Sequence, residues 1–66
     1  MPYVNVRMVE GPSDAQKAEL IAGMTDVVAG TLGLDPQAVW VVVEGVAAGD
    51  WGVGGRSIAA RRADAG

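Results

Sequence analysis

The chain has 66 residues, half of them hydrophobic, with five basic and eight acidic side chains for a net charge of −3, and it contains neither Cys nor His. A chain this short buries only about 60% of the surface its unfolded form exposes, and without Cys or His the usual supports of a small core, disulfides and bound metal, are disfavoured. The cations are too few for a nucleic-acid footprint, and no apolar run approaches a membrane span or a secretory leader, so one cytoplasmic domain over residues 1–66 is expected, with no cofactor and no metal, supported by self-association.

Met1-Pro2 opens the chain. Removal of Met1 by an aminopeptidase would leave Pro2 as a secondary amine, able to act as base or nucleophile in a chain with no imidazole or thiol to compete. The bland alternative is a chance Pro after the initiator. From Pro2 to Val9 the residues alternate, Pro2, Val4, Val6 and Met8 against Tyr3, Asn5, Arg7 and Val9, and this period of two predicts a half-buried strand over about Tyr3 to Val9. Glu10-Gly11-Pro12 breaks it.

Ser13 with Gln16 three residues on forms a capping box, and Asp14 adds negative charge to the first turn, so a helix is expected from Asp14. Leu20, Ile21, Met24, Val27, Val28, Thr31 and Leu32 follow helical spacing on one face, with Glu19, Ala22, Thr25, Asp26 and Ala29 opposite, and Gly33 is a suitable stop. Gly23 and Gly30, seven residues apart inside this helix, either admit another backbone closely or are tolerated drift.

Asp35-Pro36-Gln37 reads as a turn, and Val39-Trp40-Val41-Val42-Val43 as a strand covered on both faces. Strand, helix and strand make a βαβ unit with parallel strands and a right-handed crossover. One helix covers only one sheet face, so a second subunit is expected on the other. Beyond Glu44 the pattern loosens. Clustered Gly around Trp51 and Val53 predicts a hairpin. A phosphate cradle there needs a following helix, and Arg56 to Asp64 looks too short and polar to give one. The tail from Arg61 to Gly66 is expected to be irregular beyond its first residues.

In this order and at this length, Pro2, Glu10-Gly11 with Ser13-Asp14 and Gln16-Lys17, and Gly49-Asp50-Trp51-Gly52-Val53-Gly54-Gly55 together resemble the small tautomerases of the 4-oxalocrotonate tautomerase family. The resemblance runs from Pro2 to about Arg62. It implies an α+β fold, a β-α-β unit with a short C-terminal β-hairpin, assembled as a homohexamer (a trimer of dimers), and cofactor-independent isomerisation of a small-molecule carbonyl substrate by the proline amine. A free α-amine has a pKa of about 7.7–8.0, and apolar surroundings disfavour its charged form.

The resemblance further implies catalysis by Pro2 and substrate contacts from Trp51 at an aromatic position and from Val53 and Val9 at apolar walls. The arginines that bind a dicarboxylate in well-known members are replaced here by Pro12 and Trp40. A less charged, aromatic or conjugated substrate is therefore expected, with Trp40 either stacking on it or lying in a subunit interface. Arg7, Arg56 and Arg61 are candidate replacement cations. The competing class is a non-catalytic binding or assembly subunit of the same fold, the outcome if Met1 is retained and acylates the proline nitrogen.

Overall fold

The structure is a computed structural model that describes residues 1–65. Strand β1 spans Tyr3–Val9, helix α1 Asp14–Leu32 and strand β2 Trp40–Val46. A two-residue hairpin follows, β3 at Gly52–Val53 and β4 at Arg56–Ser57, and helix α2 closes the chain at Ile58–Ala65. β1 and β2 pair in parallel, from Tyr3 against Trp40 to Val9 against Val46, and β3 pairs antiparallel with β4. The expected α+β fold, with its βαβ unit and hairpin, is what forms.

Local chemistry explains the boundaries. The Ser13 hydroxyl accepts the Gln16 amide N–H at 3.1 Å while the Gln16 side chain accepts the Ser13 N–H at 2.9 Å. This reciprocal cap satisfies two amides that the helix itself leaves unpaired, and the Ser side chain contributes about 1 kcal/mol. Gly33 ends α1 in the left-handed region at φ 65°. The Asp35 carboxylate accepts the Gln37 N–H at 2.9 Å, setting a single helical turn at Pro36–Ala38 that delays β2 to Trp40. At the hairpin Gly54 and Gly55 both have positive φ, 61° and 86°, the pairing a tight primed turn requires.

Two expectations are corrected. Ala29, placed on the outer face by its spacing, is the one fully buried hydrophobic residue among those described, 7% exposed, and Thr25 is half-buried beside it. Leu20, Met24 and Val28 do turn inward, but Ile21, Val27 and Leu32 are exposed, Val27 to 64%. Apolar residues ring α1 on several sides, so periodicity alone does not fix its orientation.

The tail is the second correction. Against the expectation of an irregular tail, the chain is helical from Ile58 as far as Ala65, and Gly66 lies outside the described residues. Ser57 Oγ accepts the Ala60 N–H at 3.0 Å as an N-terminal cap, Arg56 pairs with Asp64 across the helix, and Ala and Arg are strong helix formers. α2 packs on the turn at Ala48–Asp50.

In register, Val4, Val6 and Met8 with Val41 and Val43 share the sheet face under α1, and all are half-buried. Tyr3, Asn5 and Arg7 with Trp40, Val42 and Glu44 share the other, which no helix among the described residues covers. The chain is flat and long, 46 × 24 × 14 Å, with a radius of gyration of 15.4 Å where a compact chain of this length gives about 11 Å. Its accessible surface is 4587 Å², against about 3,900 Å² for a compact monomer of this mass. The fold alone does not enclose a core. A Cβ added at Gly23 or Gly30 meets nothing within 4 Å, so no backbone of this chain exploits them. Among the described residues no helix is long and apolar enough to cross a membrane.

Candidate active site

Pro2 precedes β1 and is half-buried, and Met1 before it is exposed. Its carbonyl accepts the Trp40 N–H at 3.0 Å, the bond that begins the β1–β2 ladder. The amino end is therefore fixed to the sheet rather than loose, and a proline ring keeps its nitrogen close to the backbone. Tyr3 lies directly across from Trp40, and the Trp40 side chain stands on the uncovered face, 58% exposed.

Trp51 sits at the other end of the sheet. It follows the turn after β2, and its carbonyl accepts the Ile58 N–H at 2.8 Å, tying the hairpin to α2. With Arg7, Val46, Asp50 and Gly52 it lines a shallow cleft of about 320 Å³. Val9, half-buried, pairs with Val46 at the same end, and Val53 follows in β3, exposed. Pro2 and Val9 are seven residue steps apart along the strand, about 23 Å at 3.3 Å per residue. The five predicted site residues thus fall into two groups, Pro2 with Trp40, and Val9 with Trp51 and Val53, which one chain does not bring together.

Pro12 lines a separate hollow of about 410 Å³ with Gln16, Glu19 and Leu20. Among the candidate cations, Arg7 pairs with Glu44 at 3.3 Å, and Asn5 donates to the other Glu44 oxygen at 2.7 Å. Sequence reasoning did not single out Glu44. The signal was the register, which sets Arg7 opposite Glu44 and Asn5 one step back on the same face. Arg56 donates toward the Ala60 carbonyl at 3.5 Å and pairs with Asp64. Among the described residues no three His, Cys, Asp or Glu side chains gather where a metal could be held.

The family model described as "Tautomerase enzyme" matches residues 2–61, starting at Pro2. A probable tautomerase of Dickeya dadantii (strain 3937) is 41% identical over 66 residues, 98% of each chain. Among solved structures, TomN, a 4-oxalocrotonate tautomerase homologue of the tomaymycin biosynthetic pathway, superposes with a TM-score of 0.93 at 40% identity, covering 98% of this chain and 100% of its own. A subunit of the heterohexameric 4-oxalocrotonate tautomerase of Chloroflexus aurantiacus J-10-fl gives 0.84 at 32% identity, covering 89% of this chain and 95% of its own. A match that begins at Pro2 and runs through strand, helix, strand and hairpin settles the identity of the fold: the chain belongs to the tautomerase family, among the 4-oxalocrotonate tautomerase homologues.

Proposed function

We propose that this protein is a cofactor-independent tautomerase in which Pro2, freed by removal of Met1, is the general base, and that each site is completed by another copy of the chain. The single observation that carries this reading is the separation of Pro2 from Trp51 at opposite ends of one sheet, in a chain whose family match begins at Pro2. A second copy laid on the uncovered face supplies a Trp51, Val9 and Val53 wall to the first copy's Pro2. Assembly as a homohexamer, a trimer of dimers, follows as part of the proposal, and the hexameric assembly of the Chloroflexus neighbour is in keeping with it.

Chemically, the neutral amine takes a proton next to the substrate carbonyl, leaving a dienolate or enolate. The resulting prolinium returns that proton to a carbon further along the conjugated system, so no atom is gained or lost. Trp51 with Val53 and Val9 gives an apolar wall that excludes water and favours the uncharged amine. Trp40, beside Pro2, stacks on a flat conjugated substrate. With Pro12 and Trp40 in place of cations, that substrate carries less charge than a dicarboxylate.

The experiment is subunit complementation. Trp51→Ala should raise KM for phenylenolpyruvate by about tenfold, roughly 1.4 kcal/mol of lost contact, with the far-ultraviolet circular dichroism unchanged. Mixing dissociated Trp51→Ala and Pro2→Ala chains and reassembling them should raise the activity at low substrate above the average of the two variants, because a site can then draw an intact Pro2 and an intact Trp51 from different chains. No gain on mixing would mean that the two residues do not share a site across subunits.

A further inference from the structure

The cleft of about 320 Å³ at the hairpin end of the sheet, lined by Arg7, Val46, Asp50, Trp51 and Gly52, holds one side chain of each charge. The two are not equally free. The Arg7 guanidinium pairs with Glu44 at 3.3 Å, and Glu44 in turn accepts from Asn5 at 2.7 Å. Asp50 has no cation within ion-pair distance among the described residues. The charge left unmatched beside Trp51 is therefore negative.

Both residues stand on fixed backbone. The Asp50 N–H donates to the Ala47 carbonyl at 2.8 Å, closing the single turn at Ala48–Asp50 on which α2 packs. Trp51 follows directly, half-buried, with its carbonyl bonded to the Ile58 N–H. An indole face attracts a cation through its quadrupole and stacks on a flat π-system. A carboxylate accepts two parallel N–H donors from a planar cation of the guanidinium or amidinium kind. Placed in one cleft, the two attractions act on the same guest. An anionic guest meets the opposite situation: it confronts Asp50, and it gains the Arg7 guanidinium only by displacing Glu44.

We propose that the Trp51 cleft binds a basic nitrogen carried on a flat conjugated body, with Asp50 as the counter-charge and Trp51 as the stacking surface. The substrate is then a conjugated carbonyl compound with a cationic nitrogen at the end away from its reacting carbons. The position of the carbonyl rests on the proline-base reading, in which this cleft faces the Pro2 of another copy, whereas the preference for a cation does not. Asp50 is exposed, so its field is screened and the preference is salt-dependent.

Benzamidinium, benzamide and benzoate share one planar frame, differ in charge and have no enolisable carbon, so calorimetric titration of the assembled protein with each tests binding without turnover. At low salt benzamidinium should bind about tenfold more tightly than benzamide, and benzoate most weakly. The preference should fall as salt is raised through about 0.5 M, where the screening length is only a few ångströms. Benzamidinium should also shift the indole N–H resonance that is missing from the spectrum of Trp51→Ala. In Asp50→Asn the cation and the amide should bind alike, while Asp26→Asn, which removes the same charge from the exposed side of α1, should leave the preference intact. Equal affinities for benzamidinium and benzamide, tighter binding of benzoate, a Trp51 resonance that does not move, or equal losses in the two Asn variants would each overturn the proposal. The ligand series and the indole shift on the unaltered protein decide the matter even if Asp50→Asn fails to fold. The proline reading is judged separately, by turnover in Pro2 variants, so either can fail alone.

Discussion

Replacing Pro2 by Ala is expected to lower kcat/KM on phenylenolpyruvate by about 10² to 10⁴-fold, the range a positioned general base contributes. Some activity should remain. Ala at the second position also allows Met removal and leaves a primary amine near the same place, but one without the ring that holds the nitrogen against the backbone. The hydrogen bond that fixes this end uses the carbonyl of residue 2, which Ala retains, so the strand should still form from Tyr3. A sharper loss is expected from inserting one Ala between Met1 and Pro2. The proline nitrogen then becomes an amide with no basic lone pair, and activity should fall to background while the fold is kept. Steady-state kinetics on both variants checks this, and full activity in either removes Pro2 from the role of base.

The second large effect concerns the uncovered sheet face. Val42 lies at its centre, between Trp40 and Glu44 along β2 and across from Asn5. If that face is covered by another copy, Val42→Asp places an unpaired carboxylate in the interface, at a cost of roughly 3–5 kcal/mol per subunit. Because one chain encloses so little, dissociation and unfolding should coincide. Sedimentation velocity is expected to show loss of the assembly and circular dichroism loss of helix at the same protein concentration. Persistence of the full assembly, or a well-folded 6.7 kDa monomer, would show that this face is not the interface that stabilises the fold.

The same face explains what its few polar groups do. Glu44 is held by Arg7 and Asn5, so its charge is matched within the chain. A surface pair of this kind contributes little by itself. Covered by a second copy, it would instead be a buried pair whose partners are already in place, with a desolvation cost that offsets much of the attraction between them.

Much of the fold was legible because short-range chemistry announces it. Alternation from Tyr3 to Val9, the Ser13–Gln16 box, the Gly33 stop and the Gly54-Gly55 turn each act over a few residues, and each lies where the sequence sets it. Orientation of α1 was not legible. With Ile21, Val27 and Leu32 apolar but exposed, and Ala29 small but buried, the pattern holds two demands at once, one from this chain's sheet and one from apolar surface left uncovered. Helix α2 is not legible from its polar composition, because what stabilises it is local, the Ser57 cap and the Arg56–Asp64 pair.

For the candidate site, residue types were legible and their grouping was not. Pro2, Trp40, Val9, Trp51 and Val53 are all identifiable in the sequence, yet spacing along the chain says nothing about a site whose two halves lie at opposite ends of one sheet. The Arg7–Glu44 pairing likewise required the parallel register, which fixes β1 against β2 across an intervening helix of 19 residues.

The proposed chemistry depends on a free amine at Pro2, and the intact mass of the protein recovered from its own host measures that directly. The account predicts a mass short by one methionine residue, with Pro2 as the first residue. A mass that retains Met1 would contradict it, because an acylated proline nitrogen cannot take the proton.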